Sequence, residues 1–591
     1  MKQVVISSLA LTLLGACAST PQQPAAPKPF ELTIAHINDH HSHLAPSELT
    51  FDWAGQAWQV EAGGFPRMTA MIDQIRQNNQ NVLTLHAGDA ITGSVFFKRL
   101  GSAADARFMN DTCFDAFTIG NHEFDTGDAG LKTFLDQLGT TRCNTVKLSA
   151  NIEPEIGVSP LTPQTATDSF QPYTIIQRNG QSLGLVGLTI AQRTMQTSHP
   201  DKTTRLTDEL AAAQRSVAAL QAQGIEKIIL LTHVQYQNDI DFAGKLPGVD
   251  VIIGGDSHTL LGDFSAFGID ADGAYPTQVT NAEGDPVCIA HAYKYSQVVG
   301  ELHVTFDGDR VASCSGRPHY LIGSDVQPKA GAVTTVQPVL DALDQSGVFT
   351  RIKPDTQQQA WLDTYQQKID AFANEVLAKV PQRICTQPIG TPRRAECGQQ
   401  QSSGLQRLIA ESFLAAAPDA DFAIQNGDGS RGDIEPGTFT VGDAYKLLPY
   451  GNTLMTIEIS GSELKQVLEE ALNFAVTGDD NIGAYPYGAN IQYSINLQQG
   501  FGDRISDIKV WDDEQQTWKA VRPRDTYRVV TNSYIAGGQS GYKTFLTLSD
   551  RGRAHNTGID YAQAFADYVR QFDQLKRPTQ FATQEFVPVK E

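Results

Sequence analysis

The sequence predicts an α/β protein with more than one domain, and three observations support this. The chain has 591 residues, which is too long for a single hydrophobic core. Short apolar runs typical of buried strands alternate with segments of helical periodicity along most of it. Asp, Asn and His residues directly follow several of these runs, at the strand ends where α/β sheets bind ligands.

Residues 30–340 are predicted to form the first domain, an α/β sandwich. Asn179-Gly180 between two apolar runs indicates a tight hairpin. Apolar residues spaced three and four apart predict helices at Pro66–Gln77, Gly130–Leu138 and Asp208–Gln223. The predicted strands are Leu32–Ile37, Asn81–Leu85, Ala116–Ile119, Leu148–Ala150, Leu185–Ile190, Ile228–Leu231 and Val249–Ile253.

A linker is predicted at residues 341–380, with one helix at Thr356–Val380 that Pro381 ends. Residues 381–591 are predicted to form a second α/β domain, in which Ser462 caps a helix at Glu463–Phe474. Its other predicted elements are helices Leu405–Ala416 and Val441–Leu447 and strands Asp421–Gln425, Leu454–Ile459, Ile491–Ile495, Ile505–Trp511 and Tyr527–Thr531.

The charge balance argues against a nucleic-acid polymer as partner. The chain has 66 acidic and 45 basic residues and a formal net charge of −21. Affinity for a phosphate backbone comes mainly from clustered Lys and Arg, which such a chain lacks overall. A small anionic substrate remains compatible with this composition, provided that metals and a few arginines create a local positive site.

The N-terminal residues 1–29 are predicted to be a targeting segment and a flexible tether. An apolar stretch at Val4–Leu14 runs into Leu14-Gly15-Ala16-Cys17, which resembles a bacterial lipobox. That resemblance implies lipidation of Cys17 and an exported lipoprotein, anchored in the outer membrane and facing the periplasm or the cell surface. The alternative is an ordinary cleaved signal peptide with an incidental cysteine.

Six cysteines remain when Cys17 is set aside, and an even number in an exported protein suggests disulfides. Fifteen pairings are possible for six cysteines. Pairing between sequence neighbours is favoured because each pair then lies within one predicted domain. The predicted pairs are Cys113–Cys143, Cys288–Cys314 and Cys385–Cys397.

Five polar motifs, each after a predicted strand, together indicate a two-metal hydrolase centre. Hydrolysis of a phosphate ester needs a nucleophile at neutral pH and positive charge for the phosphoryl oxygens, and two cations supply both. Oxygen and nitrogen ligands suit Zn²⁺, Mn²⁺ or Mg²⁺. A single motif of this kind is usually a capped turn with only a structural role. Five such motifs in order, each after a predicted strand, are hard to explain in that way. The motifs are Asn38-Asp39-His40-His41, Gly88-Asp89, Gly120-Asn121-His122-Glu123-Phe124-Asp125, Thr232-His233 and Gly254-Gly255-Asp256-Ser257-His258.

With these motifs the chain resembles the bacterial 5′-nucleotidases of the calcineurin-like metallophosphoesterase superfamily. The resemblance extends from about Leu32 to the last predicted helix. It implies a metallophosphoesterase β-sandwich flanked by helices, a connecting helix and a C-terminal α/β domain that binds substrate. It also implies hydrolysis of nucleoside 5′-phosphates.

The resemblance assigns roles to the residues of the motifs. His122 matches the catalytic histidine, and Asp125 matches the carboxylate that orients it. Asp256 departs from the family, which has histidine at this position, and a carboxylate there could shift the metal preference. The implied metal ligands are Asp39 and His41 for one ion, Asp89 as the bridge, Asn121 and His233 for the second ion, and also Asp256 and His258.

The resemblance also implies a substrate pocket in the second domain. A glycine-containing loop after a strand would contact base and phosphate, two tyrosines would stack on the base, and an arginine would add a phosphate contact. Ser540 occupies the place of an aspartate that binds the ribose hydroxyls in the family. The implied substrate residues are Arg394, Asn426, Gly429, Arg431, Tyr450, Asn452, Tyr534 and Ser540.

Two alternative functions remain open at this stage. One is a different reaction on the same fold, either 2′,3′-cyclic nucleotide phosphodiesterase with 3′-nucleotidase activity or UDP-sugar pyrophosphatase activity. The other is a surface binding lipoprotein with a vestigial site. The intact set of competent ligand types argues against the second alternative. Metal identity and oligomeric state are left open.

Overall fold

The computed structural model describes residues 29–139, 143–198, 200–329, 335–386, 402–449, 452–477, 481–513 and 515–588. Two layered α/β regions follow one another along the chain, with a helix between them. Among the described residues, none of the helices combines the length and apolar character needed to cross a bilayer.

In the first region the described residues form seventeen strands and eight helices, numbered along the chain. The strands are β1 Phe30–Ile37, β2 Ser47–Trp53, β3 Gln56–Ala62, β4 Val82–His86, β5 Ala116–Thr118, β6 Val146–Leu148, β7 Ile152–Pro154, β8 Tyr173–Arg178, β9 Gln181–Thr189, β10 Thr204–Leu206, β11 Lys227–His233, β12 Val251–Gly254, β13 Thr277–Thr280, β14 Pro286–His291, β15 Val298–Asp307, β16 Arg310–Pro328 and β17 Phe349–Arg351. The helices are α1 Phe65–Asn78, α2 Val95–Leu100, α3 Ser102–Thr112, α4 Gly127–Gln137, α5 Ala191–Thr197, α6 Glu209–Gln221, α7 Tyr236–Lys245 and α8 Gln337–Gln345.

These strands form two large sheets and one small one. The nine-stranded sheet has the order β2-β3-β16-β15-β1-β4-β5-β6, with β17 beside β16. The six-stranded sheet has the order β13-β14-β12-β11-β9-β8, and β7 pairs with β10 separately. Because β17 joins the large sheet, this region extends to Arg351, into the segment predicted as linker.

The sheets pack face to face, and alternate residues of their strands fill the space between them. Leu32 and Ile34 of β1 meet Ile229 and Leu231 of β11 in this core. The intervening residues point outward, where α1, α3 and α4 cover one sheet and α6 and α7 cover the other. The central parallel strands, such as β1 and β11, are therefore buried on both faces, as their continuous apolar sequences require.

Helix α9 (Thr356–Ala373) connects the two regions. Asp355 caps it by accepting a hydrogen bond from the backbone N–H of Gln358 at 2.8 Å. The second region has strands β18 Val376–Val380, β19 Phe422–Asn426, β20 Gly437–Thr440, β21 Thr453–Ser460, β22 Pro486–Ala489, β23 Ile491–Asn496, β24 Ile505–Asp512, β25 Thr517–Ala520, β26 Thr526–Asn532, β27 Ala554–Asp560 and β28 Thr583–Val587. Its helices are α10 Gly404–Ala416, α11 Val441–Leu447, α12 Gly461–Thr477, α13 Ser533–Ala536, α14 Lys543–Asp550 and α15 Tyr561–Val569.

A five-stranded sheet of order β22-β19-β26-β21-β27 organises the second region. Helices α10, α11 and α15 pack on one of its faces, with Ala423 and Val530 in that core. Helices α12 and α14 and a four-stranded sheet of order β25-β24-β23-β28 pack on the other face. The predicted α/β architecture of two domains is confirmed.

Two local predictions in the second half were wrong. The helix predicted at Thr356–Val380 ends at Ala373, and β18 follows because Leu377, Ala378 and Val380 are buried where the strand pairs with β20. Ser462 is not the cap of α12. Instead Ser460 Oγ accepts from the backbone N–H of Glu463 at 3.3 Å, and the Glu463 carboxylate accepts from the N–H of Ser460 at 2.8 Å.

Two predicted disulfides are present, Cys113–Cys143 and Cys288–Cys314. The second joins β14 of the six-stranded sheet to β16 of the nine-stranded sheet, so it links the two layers covalently. Cys385 is also disulfide-bonded. Its predicted partner Cys397 and the predicted lipidation site Cys17 lie outside the described residues.

Candidate metal centre and active site

The parallel strands of the first region bring the five polar motifs to one edge. In one sheet β1, β4 and β5 run parallel, and in the other β9, β11 and β12 do. The carboxyl ends of parallel neighbours lie side by side, so residues that follow them converge. Each motif follows one of these strands or, for His233, ends it.

The first cluster of candidate metal ligands consists of Asp39, His41 and His258, whose ligand atoms all lie within 4.8 Å of one another. The Nε2 atoms of the two histidines are 3.2 Å apart. Asp39 Oδ1 is 3.7 Å from His41 Nε2 and 3.5 Å from His258 Nε2. Two imidazoles and a carboxylate in this arrangement could hold a divalent cation.

The second cluster consists of Asp39, Asp89 and His233, again within 4.8 Å. The backbone carbonyl of Ala87 accepts a hydrogen bond from His233 Nδ1 at 2.7 Å, which leaves Nε2 facing the carboxylates. Asp89 Oδ2 is 3.0 Å from this Nε2 and 3.6 Å from Nε2 of His41. Asp89 of the second cluster therefore also lies close to His41 of the first, as expected of a bridging ligand.

Three buried atoms at this edge have no partner with hydrogen-bond geometry among the described residues: Asp39 Oδ1, Asn121 Oδ1 and His233 Nε2, the last although Asp89 Oδ2 is 3.0 Å away. A buried polar atom without a partner costs about 1–3 kcal/mol, so folded proteins rarely leave several together. All three are oxygen or nitrogen donors of the kind that Zn²⁺, Mn²⁺ and Mg²⁺ accept. The residues present therefore fit a divalent metal site, and metal ligation by Asn121 stays a prediction.

Asp256 lies beside these clusters, and its carboxylate has a different partner. Its Oδ1 is 3.7 Å from His233 Nε2, while both of its oxygens accept hydrogen bonds from Arg193 Nη1 at 3.0 Å. Its backbone N–H donates to Asp39 Oδ2 at 3.1 Å. Burial raises the pKa of the Asp256 carboxyl, against the opposing charge of Arg193. Metal ligation by Asp256 stays a prediction.

His122 is held by two aspartates at the rim of the centre. Its Nδ1 is hydrogen-bonded to Asp125 Oδ2 at 2.8 Å, and its backbone N–H donates to Asp89 Oδ1 at 2.9 Å. Burial alone would lower the pKa of His122, but the charges of Asp125 and Asp89 raise it to about 10. With Nδ1 engaged by Asp125, the ring can present a proton on Nε2.

Glu123 has a structural role that the sequence interpretation missed. Its buried carboxylate accepts hydrogen bonds from the backbone N–H groups of Asp89 at 3.0 Å, Ala90 at 2.6 Å, Ile91 at 3.3 Å and Gly120 at 2.7 Å. Burial, together with the charge of Asp89, raises the pKa of Glu123 to about 7. The residue joins the loop after β4 to the turn after β5. Its place inside the Gly-Asn-His-Glu run was the only signal for it.

In the second region, several predicted substrate residues lie close together at the ends of the parallel strands β19 and β26. The side-chain amide of Asn532 donates to Asn426 Oδ1 at 2.9 Å. The next residue, Ser533, donates from its hydroxyl to Asn452 Oδ1 at 3.3 Å. A Cβ at Gly429 would lie 2.1 Å from Gln425 Nε2, so a larger residue there would displace the buried Gln425 side chain.

Of the remaining predicted substrate residues, Tyr534 and Arg431 are exposed. Tyr534 is 43% exposed, and its phenolic oxygen accepts a hydrogen bond from Ser540 Oγ at 3.3 Å. The side chain of Arg431 is exposed, and its backbone N–H donates to Leu447 O at 2.7 Å. Tyr450 and Arg394 lie outside the described residues.

A cavity of about 510 Å³ lies between the two regions. Asp125 and Lys98 line it from the first region, and Leu448 and Pro449 line it from the second. At the same boundary Lys98 Nζ is 3.8 Å from Asp560 Oδ2. The carboxylate that holds His122 and the segment that leads towards Tyr450 therefore share one cavity.

The fold and the ligand clusters define the class of protein. Residues 32–260 match the model of the calcineurin-like phosphoesterase family, and residues 379–547 match that of the 5′-nucleotidase C-terminal domain. The "Probable 5′-nucleotidase" of Treponema pallidum is 36% identical, with 92% of each chain covered. The NAD 5′-nucleotidase of Haemophilus influenzae is also 36% identical, with 91% of this chain and 89% of the relative covered.

Solved structures agree over nearly the whole length. The NAD nucleotidase of Haemophilus influenzae matches with a TM-score of 0.69 and 34% identity, covering 95% of this chain and all of that one. A 5′-nucleotidase precursor from Thermus thermophilus matches with a TM-score of 0.64 and 30% identity, covering 94% and 99%. The chain belongs to the 5′-nucleotidase family, and it is a hydrolase that acts on nucleotide phosphomonoesters.

Proposed function

We propose that the protein hydrolyses nucleoside 5′-phosphates to nucleoside and phosphate at a centre of two divalent cations. The observation that carries this is the convergence of two candidate ligand clusters that share Asp39, in which Asp39 Oδ1 and His233 Nε2 are buried without hydrogen-bond partners among the described residues. When bound, such cations acidify a water and neutralise phosphoryl oxygens. Asp39, His41 and His258 would hold one cation. Asn121 and His233 would hold the other, Asp89 would serve both, and Asp256 is a further candidate.

His122 and Asp125 carry the proton chemistry in this proposal. Asp125 fixes the ring through Nδ1, so Nε2 is the atom that donates a proton to the departing 5′-oxygen or stabilises its charge. The hydrogen bond from the backbone N–H of His122 to Asp89 ties this ring to the ligand cluster. A shift of the ligand cluster would therefore also shift His122.

The second region would hold the nucleoside. Asn426, Asn452 and the exposed ring of Tyr534 lie near one another, and the cavity beside Asp125 reaches the segment before Tyr450. An aromatic ring contributes about 1–3 kcal/mol when a base stacks on it. Chromatography of the products formed from AMP, NAD, UDP-glucose and 2′,3′-cyclic AMP tests the substrate class, because only the monoester AMP releases phosphate in a single hydrolytic step. AMP is expected to be cleaved fastest, and a faster reaction with any other member would replace this proposal.

We also propose that the protein is exported and anchored through a lipid on Cys17. The disulfides support an oxidising compartment, since they are rare in cytosolic proteins. Growth with a clickable fatty acid should label the full chain, and Cys17→Ser should abolish the label. Labelling that persists in the Cys17→Ser variant would contradict the anchor.

The metal centre is tested by removing its central carboxylate. Asp89→Ala should abolish phosphate release and lower the metal content measured by elemental analysis, because Asp89 lies close to histidines of both clusters. The exposed Asp363 provides the control, and Asp363→Ala should leave both quantities unchanged. Asp89→Ala protein that keeps the full metal content of the wild type would refute the assignment.

A further inference from the structure

Helix α5 lies along one side of the candidate metal centre. At its start, the backbone N–H of Ile190 donates to the carbonyl of His233 at 2.8 Å. At its end, Ser198 Oγ is 3.5 Å from the side-chain amide of Asn121. The helix therefore connects two predicted metal ligands, and its first turn carries Arg193.

Arg193 pairs with a buried carboxylate, and its own side chain is partly exposed. Its Nη1 lies 3.0 Å from each oxygen of Asp256, whose side chain is only 1% exposed, whereas the Arg193 side chain is 42% exposed. A buried carboxylate is thus used to orient a guanidinium that reaches solvent. Such pairing restricts the side chain, so less conformational entropy is lost when it binds an anion.

The surroundings of Arg193 place it at the reaction centre. Its partner Asp256 has Oδ1 3.7 Å from Nε2 of His233 and donates its backbone N–H to Asp39 Oδ2 at 3.1 Å, so the guanidinium lies next to both ligand clusters. A guanidinium offers five N–H groups in a planar fork, so it can serve a carboxylate and a phosphoryl oxygen at the same time.

We propose that Arg193 is a catalytic residue that donates hydrogen bonds to a non-bridging oxygen of the scissile phosphoryl group. Asp256 is its positioning residue. The inference rests on the proposed function, because it assumes that a phosphate ester binds at the ligand clusters. Fixed positive charge next to the phosphoryl group stabilises the charge that develops there in the transition state.

The test compares Arg193→Gln and Arg193→Lys with the wild type. The control is Arg205→Gln, because Arg205 is 75% exposed and paired only with a surface glutamate, Glu153, in the described contacts. Binding of inorganic phosphate is measured by calorimetry, kcat and KM are measured with AMP, and bound metal is measured by elemental analysis.

Arg193→Gln should weaken phosphate binding at least tenfold and lower kcat/KM about a hundredfold, with unchanged metal content. Arg193→Lys should fall between this variant and the wild type, because it keeps the charge but loses the fork. Arg205→Gln should match the wild type.

Unchanged phosphate affinity in Arg193→Gln would overturn the inference, and so would a loss of metal parallel to the loss of affinity. The two proposals fail in distinguishable ways. If the wild type does not cleave AMP, the proposed function fails, while the calorimetric comparison still decides whether Arg193 binds phosphate.

Discussion

The backbone at the candidate metal centre is unusual residue by residue. Non-glycine residues with positive φ are uncommon, and each costs of order 1–3 kcal/mol unless its surroundings hold it. Here such residues concentrate on the predicted ligands, and backbone hydrogen bonds between the β1 and β4 loops, such as His41 N to Asp89 O at 3.1 Å, hold them. The ligands with positive φ are Asp39 at 51°, His41 at 48°, Asp89 at 55°, Asp256 at 73° and His258 at 51°.

His122 is expected to affect rate and not metal content. His122→Ala should lose roughly 10²–10⁴-fold in kcat, the usual contribution of a positioned acid or base. KM should change little if the residue acts in the transition state. Steady-state kinetics with AMP and elemental analysis measure both quantities.

His303 supplies the matched control, since its side chain is 42% exposed and its ion-pair partner is Glu301, 3.4 Å away. His303→Ala should leave kcat and metal content unchanged. If His122→Ala retained near-normal kcat, the proton-transfer role would have to be abandoned.

Ser540 is expected to recognise ribose weakly. A hydroxyl forms weaker hydrogen bonds than a carboxylate, and charge-assisted bonds are roughly twice as strong. The kcat/KM for dAMP should therefore lie within about tenfold of that for AMP, a difference under ~1.4 kcal/mol. Ser540→Asp should widen the difference in favour of AMP. The residue has φ 52° and ψ 33°, a conformation that Asp adopts readily, so the variant should fold.

Ser540→Ala is the control for this variant and should leave the ratio of the two substrates near that of the wild type. A strong preference of the wild type for AMP that Ser540→Asp does not alter would show that another residue recognises the sugar.

At the scale of elements, the sequence predicts the strands of the first region well because buried parallel strands are continuous apolar runs. The convergence of their polar ends follows from the topology. Two features could not be predicted. The Arg193–Asp256 pair joins residues 63 positions apart that no motif connects. The boundary between α9 and β18 depends on pairing with β20, which is a tertiary contact.

Asp250 joins two neighbouring strands and should make stability depend on pH. Its Oδ2 accepts from the backbone N–H of Ile228 at 2.8 Å, at the starts of β11 and β12. Burial raises the pKa of Asp250 to about 7. A carboxyl with a raised pKa in the folded state stabilises the fold below its unfolded pKa of about 4, and this contribution is lost as the pH rises through 7.

Asp250→Asn keeps the acceptor and removes the titration. Relative to wild type, the variant should gain roughly 1–4 kcal/mol of unfolding free energy between pH 5 and pH 8.5. Denaturant unfolding at both pH values measures this, with Asp363→Asn on the surface as the control. An identical pH dependence in Asp250→Asn and wild type would contradict the prediction.

At the scale of the whole molecule, the two regions supply different parts of the proposed active site. The first supplies the candidate metal centre, the second supplies the predicted nucleoside residues, and the cavity of about 510 Å³ between them is lined by both. The sequence predicts the type of domain that each half forms, but it does not predict how the two regions are placed around this cavity. The relative placement depends on contacts such as that of Lys98 with Asp560, which lie far apart in the chain.

The sandwich of the first region should depend on the disulfide between its sheets. Cys288 and Cys314 close a loop with a sequence separation of 26. Loop-closure entropy gives such a crosslink about 3 kcal/mol of stabilisation, acting mainly on the unfolded chain. Cys288→Ala combined with Cys314→Ala should therefore lower the first unfolding transition in calorimetry by roughly 5–10 °C.

Phosphate release from AMP at 25 °C should persist in this variant, because neither cysteine is a predicted metal ligand.

The double variant of Cys113 and Cys143 is the matched comparison. That disulfide has a similar sequence separation of 30 but joins the end of α3 to the segment before β6, so it leaves the two sheets linked. Loop entropy alone predicts similar shifts for the two double variants. A larger shift for Cys288 and Cys314 would mean that the link between the sheets also stabilises the folded sandwich directly. An unchanged transition temperature in both would show that packing between the sheets suffices without the crosslinks.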